Sequence, residues 1–159
     1  MSHAIAVGDL PASTAEFVRG QGRARGLADP LAAVTHGLRT EEETMNRESR
    51  GGPTSQRFVV EMLLTPELLI VAHRQSDDAD TDPGARVRFH RLDQVEIATD
   101  KGSEKAVTAR LAMPAKSIPL TSRPLGGAKR ATYQLPIAID PDVQRFRDAL
   151  AQAVEAARA

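Results

Sequence analysis

Phe58-Val59-Val60-Glu61-Met62-Leu63-Leu64-Thr65-Pro66-Glu67-Leu68-Leu69-Ile70-Val71-Ala72-His73-Arg74 is the stretch on which the fold turns. Two runs dense in Val, Leu and Ile flank Thr65-Pro66-Glu67, three residues of turn chemistry, so the pair reads as a β-hairpin. In its first strand Phe58, Val60, Met62 and Leu64 share one face. On the C-terminal side, residues 76–84 hold Asp77, Asp78, Asp80, Asp82 and Pro83 and read as a solvated loop. Residues 86–90 then alternate strictly, with Val87 and Phe89 on one face and Arg86, Arg88 and His90 on the other, the pattern of a half-buried strand. Val95 and Ile97 continue it past the corner Leu92-Asp93-Gln94. Ile118 with Leu120, and Tyr133 with Leu135 and Ile137, mark two later strands joined through residues 124–129.

The strongest local signal closes the chain. Asp140-Pro141-Asp142 supplies an N-cap, a proline at the first helical position and an acid in the first turn. The spacing predicts an amphipathic helix over 141–157, with Val143, Phe146, Leu150 and Val154 on one face, widened by Ala149, Ala153 and Ala157.

Upstream of the Gly51-Gly52-Pro53 break the pattern is weaker. Residues 40–50 are ambiguous: Glu41, Glu42 and Glu43 favour helix, whereas the length suits a polar edge strand, the reading adopted on topological grounds. Ser13 and Glu16 have capping-box spacing, so a short helix starts there and is interrupted at Gly20, Gly22 and Gly26. Asp29-Pro30 is a second start signal, placing Leu31, Val34 and Leu38 on one helical face. The expected organisation is an N-terminal helical or partly flexible extension over 1–37 and one domain over 38–159.

Composition bounds the function. With 159 residues and 21 basic against 21 acidic side chains, one domain without net charge is expected. The lack of cysteine excludes a disulfide scaffold, a thiolate zinc site and a cysteine nucleophile, and suits a reducing, cytoplasmic setting. Four Phe, one Tyr and no Trp leave little for a stacking surface. No apolar run nears the roughly 20 residues of a bilayer span. Residues 1–10 lack a basic leader and include Asp9, so no secretory signal is expected.

The order of a polar strand, a Thr-Pro-Glu hairpin, further alternating strands and a closing helix resembles the pleckstrin-homology-like superfamily, including GRAM-like and bacterial relatives. The matching positions are Leu64-Thr65-Pro66-Glu67-Leu68, Leu92-Asp93-Gln94-Val95, and Phe146 to Val154 in the helix. The resemblance covers residues 38–155. It implies an α+β, mainly β fold: a seven-stranded, partly open barrel of two orthogonal antiparallel sheets capped by the C-terminal helix. Counting 40–50 as a strand and 107–113 as a loop gives seven strands, and the reverse also gives seven. Phosphoinositide-binding members use basic residues on the first two strands and their loop. The equivalents here are Arg47, Arg50 and Arg57, or the acidic Thr65-Pro66-Glu67, and neither reproduces that pattern.

The zero net charge hides an asymmetry. From Lys105 to Ile139 there is no acid, while Lys105, Arg110, Lys116, Arg123, Lys129 and Arg130 are basic. These six form either a face for anionic lipid headgroups or an acidic partner, or a set of cations guarding exposed strand edges against self-pairing. Nucleic acid is disfavoured for want of aromatics. Asp78, Asp80 and Asp82 have the spacing that begins a calcium loop. However, Pro83 stands where glycine belongs and Phe89 where a bidentate Glu belongs, so a solvated loop is the simpler reading. His73 and His90 fall on neighbouring strands without a third ligand, and no metal or other cofactor is expected. There is no G-x-S-x-G elbow, and Gly126-Gly127-Ala128-Lys129-Arg130 lacks the phosphate-loop pattern, so no catalytic residue is assigned. The expected function is a non-catalytic binding or scaffolding module. It would contact a protein partner through an apolar groove near the C-terminal helix or an exposed strand edge. Peripheral binding to anionic membrane lipid through 105–130 is the alternative. The extension is left with docking on the barrel or association into a homo-oligomer.

Overall fold

A computed structural model describes residues 2–46, 54–76, 86–97, 117–125, 129–136 and 140–159. Among them, eight strands form two antiparallel sheets. β1 (Ser2–Ala4), β2 (His36–Asn46), β3 (Thr54–Leu64), β4 (Leu68–Ser76) and β5 (Arg86–Arg91) follow one another across the first. β6 (Glu96–Ile97), β7 (Ser117–Ser122) and β8 (Ala131–Pro136) make the second. The helices are α1 (Ala12–Ala24) and α2 (Pro141–Arg158). The chain divides into two units, Met1–Pro66 with Ile70–Arg88, and Glu67–Leu69 with Phe89–Ala159.

In the first unit β2 and β3 run in unbroken register from His36 opposite Leu64 to Asn46 opposite Thr54. Residues 40–46 are therefore strand, and the helix preference of the Glu run yields to pairing with the apolar β3. Residues 47–50 lie outside the described residues, as do 107–113, the alternative seventh strand. The hairpin of β3 and β4 forms where the two apolar runs and their turn put it. Met62 and Leu64 are buried as expected, but so are Val59, Glu61 and Leu63 on the opposite face. The end of β3 is thus covered on both sides, which alternation alone does not express.

The first 37 residues depart further from the sequence reading. They begin with a strand, β1, whose three residues pair with Thr40, Arg39 and Leu38. α1 is not interrupted at Gly20 or Gly22 and buries Thr14, Val18 and Gly22 along one stripe. Its N-cap is Pro11, without the Ser13–Glu16 capping box. It ends at Ala24 with Arg25 as C-cap, and the next residue, Gly26, has a φ of 75°, the left-handed conformation that glycine tolerates. There the Leu27 N–H donates to the Gly22 carbonyl and the Gly26 N–H to that of Arg23, a Schellman closure. Asp29 does cap, its carboxylate accepting from the Leu31 N–H at 3.1 Å, but only for the 3-10 turn Pro30–Ala33. Leu38 belongs to β2 instead, because the strand pairing captures the chain from His36 onward.

In the second unit β7 and β8 pair from Ser117 opposite Pro136 to Ser122 opposite Ala131. Leu120, Ser122, Ala131 and Tyr133 are buried on one face, while Thr132 on the other is exposed and Thr121 half-buried. β6 sets Glu96 opposite Thr121 and Ile97 opposite Leu120. α2 buries Val143, Phe146, Leu150 and Val154, the face its spacing predicts, and packs against the 3-10 turn Leu92–Gln94. Near its far end the Arg158 guanidinium donates to the Val95 carbonyl. The Asp140 carboxylate accepts from the Asp142 N–H at 2.8 Å. Asp140→Ala is expected to cost about 1 kcal/mol, read as a fall of about 3 °C in Tm; an unchanged Tm would mean that the cap contributes nothing. Among the described residues, no helix is long and apolar enough to cross a membrane.

Candidate functional site

Of the six basic positions singled out by charge, Lys105, Arg110 and Lys116 lie outside the described residues. Arg123, Lys129 and Arg130 are all exposed. Arg123 follows the last residue of β7, and Lys129 and Arg130 precede the first of β8, so the strand pairing gathers them at one end of the β7–β8 hairpin. The Arg130 guanidinium reaches the Glu96 carboxylate at 3.1 Å, with both side chains more than half exposed. Such a pair is worth at most about 1 kcal/mol. Arg123 and Lys129 make no ion pair among the described residues. β8 is the last strand in the order β6–β7–β8, so its outer edge is open among those residues.

The histidines part company. His90 is fully buried rather than on a solvated face with Arg86 and Arg88. Its Nε2 lies 2.8 Å from the Tyr133 hydroxyl, and the two rings meet edge to face at 5.2 Å. His73 is half-buried. No group of three or more His, Cys, Asp or Glu among the described residues fits a metal ion. Asp78, Asp80 and Asp82 lie outside the described residues. Tyr133→Phe removes one hydrogen bond inside a buried pair. It is expected to lower stability by about 1 kcal/mol, checked by urea denaturation at unchanged slope.

No family model, curated protein or solved structure matches the chain. Local chemistry therefore has to carry the functional reading.

A second charged cluster was invisible in the sequence. Glu61, in the middle of β3, is fully buried, and Arg39 on β2 stands directly opposite it in the register. Arg39 donates to one Glu61 oxygen through Nε at 3.1 Å and Nη2 at 2.8 Å. Its Nη2 also donates to the Asp9 carbonyl at 2.7 Å. Arg74 on β4 brings Nη2 to 2.7 Å from the other carboxylate oxygen, an ion-pair contact outside hydrogen-bond alignment. One carboxylate thus ties together three neighbouring strands. The signal available was a lone acid inside an apolar run. Both guanidiniums are mostly buried and committed to Glu61. The cluster is accordingly a structural clamp, and the exposed cations beside β8 are the better candidate for contact with a partner.

Proposed function

We propose that this chain is a non-catalytic binding module for a protein partner, built on a pleckstrin-homology-like barrel and acting in the cytoplasm. Two antiparallel sheets followed by a helix burying Phe146, Leu150 and Val154 support the fold resemblance. The observation that carries the function is the outer edge of β8, unpaired among the described residues, where main-chain groups can accept an added strand. Pro119 has no N–H, and Ile97, the last residue described in β6, lies opposite Leu120, one step short of it. The ladder then loses no bond if Pro119 and Gln134 form a non-hydrogen-bonded pair of β7 and β8. The contact between the Thr121 and Thr132 hydroxyls, 3.4 Å apart and two residues along, agrees with that alternation. It turns the N–H and C=O of Thr132 and Gln134 outward.

Proline at an outward position blocks strand addition without removing an internal bond. The chain and its Thr132→Pro variant, matched for Tm, are compared as baits in lysate of the native cell. The variant is expected to lose at least tenfold of the captured partner, whereas equal capture would remove the edge from the account. A second reading, peripheral attachment to anionic lipid, is favoured by the exposure of Arg123, Lys129 and Arg130. Salt-sensitive co-sedimentation with vesicles containing anionic lipid, abolished by reversing Lys129 and Arg130 to Glu, would establish it in place of the first.

A further inference from the structure

Resting on the protein-binding reading, we infer that the β8 edge receives an acidic, extended polypeptide segment. Two features converge on it. With Pro119 and Gln134 as a non-hydrogen-bonded pair, the N–H and C=O of Thr132 and Gln134 point outward and repeat every second residue, the spacing of a polypeptide main chain. A lipid headgroup has no complement to that ladder. The second feature is charge. Arg123, Lys129 and Arg130 stand exposed where β8 begins, and only Arg130 has an acidic neighbour among the described residues. No Asp or Glu occurs from Lys105 to Ile139 to offset them. Among the residues whose side chains are described, the face next to this edge presents the Thr121 and Thr132 hydroxyls and the Glu96–Arg130 pair. The described side chains there offer an apolar strand polar neighbours, whereas acidic side chains meet Arg123 and Lys129, which make no ion pair among the described residues. Because the cations gather at the N-terminal end of β8, the acids belong in the half of the segment lying beside Lys129 and Arg130. An incoming antiparallel strand places that half at its own C-terminal end.

The probe is a phage-displayed library of random dodecapeptides selected on the full chain, followed by affinity measurements on synthetic copies of the enriched sequences. Enrichment in Asp and Glu is expected, concentrated in one half of each peptide. Thr132→Pro should weaken the selected peptides at least tenfold. The double variant Arg123→Glu/Lys129→Glu, exposed at both sites, should weaken them about threefold to tenfold and flatten their salt dependence. Enriched peptides without acids, still weakened by Thr132→Pro, would overturn the acidic inference and leave the edge reading standing. Peptide binding unaffected by Thr132→Pro would overturn both. No enrichment, with salt-sensitive binding to anionic vesicles instead, would replace the peptide by a membrane surface.

Discussion

Glu61→Ala is expected to destabilise the protein by about 3–5 kcal/mol, the cost of removing one member of a buried ionic cluster and leaving the others uncompensated. The geometry explains the size. The Glu61 side chain is fully buried, and the two guanidiniums that face it are each less than one-fifth exposed. Truncation leaves two mostly buried cations with no counter-charge among the described residues. Glu61→Gln keeps the shape but not the charge, so it should recover only part of the loss. A triple variant that replaces Arg39, Glu61 and Arg74 by Met, Leu and Met removes all three desolvated charges together and should recover most of it. Urea denaturation of the three variants separates the outcomes. If Glu61→Ala cost less than about 1 kcal/mol, the size of an exposed pair, the clamp would be solvated in solution and the account of β2, β3 and β4 wrong.

The clamp contributes register more than net stability. Along β3 both faces are buried near Glu61, so hydrophobic burial alone discriminates poorly between the observed pairing and a slip by one residue. A one-residue slip carries the carboxylate to the face away from Arg39, and that alternative is the one the ion cluster penalises.

Gly37→Ala is expected to cost about 1–3 kcal/mol, the range for overpacking, and to detach β1 in particular. A methyl group at Gly37 would sit 2.6 Å from the Ile5 carbonyl oxygen and 3.2 Å from Leu63 Cδ2. The first obstacle is backbone and cannot rotate away. The same backbone is held by the Ile5 N–H donating to the Gly37 carbonyl at 3.0 Å, so moving it breaks the bond that anchors the N-terminal strand. Hydrogen exchange should show protection lost at the Ile5 amide while the β2–β3 ladder keeps its own. Retained protection at Ile5 would mean that the N-terminal strand docks without needing the glycine.

What the sequence could reveal followed from how local each cause was. The hairpin through Thr65-Pro66-Glu67 and the helix after Asp140-Pro141 were legible because turn chemistry, capping and periodicity lie within a few residues of one another. The strand over 40–46 was half legible, since its Glu run argues for helix and only its partner β3 decides. β1 gave no pattern, because three residues have no period and their place is created by Gly37. α1 persists through Gly20 and Gly22 because tertiary burial of Thr14, Val18 and Gly22 outweighs a propensity cost of about 1 kcal/mol per glycine. Glu61 stood unassigned inside an apolar run, and alternation set His90 on the polar side of its strand. Their partners, Arg39 and Arg74 for one and Tyr133 for the other, are too far along the chain for any local rule to supply. At the candidate site the cations were legible as an acid-free stretch. Their gathering at one end of β8, and the pairing of Arg130 with Glu96, depended on the register.

Amide-resolved hydrogen exchange on the isolated chain decides whether β8 offers an unfilled edge. With Pro119 and Gln134 as a non-hydrogen-bonded pair, exchange is expected to be slow at Leu120 and Tyr133, whose amides then face each other across β7 and β8, and fast at Thr132 and Gln134, whose amides then face outward. Strong protection at Thr132 and Gln134 in the isolated chain would contradict it, because the edge would then already be occupied.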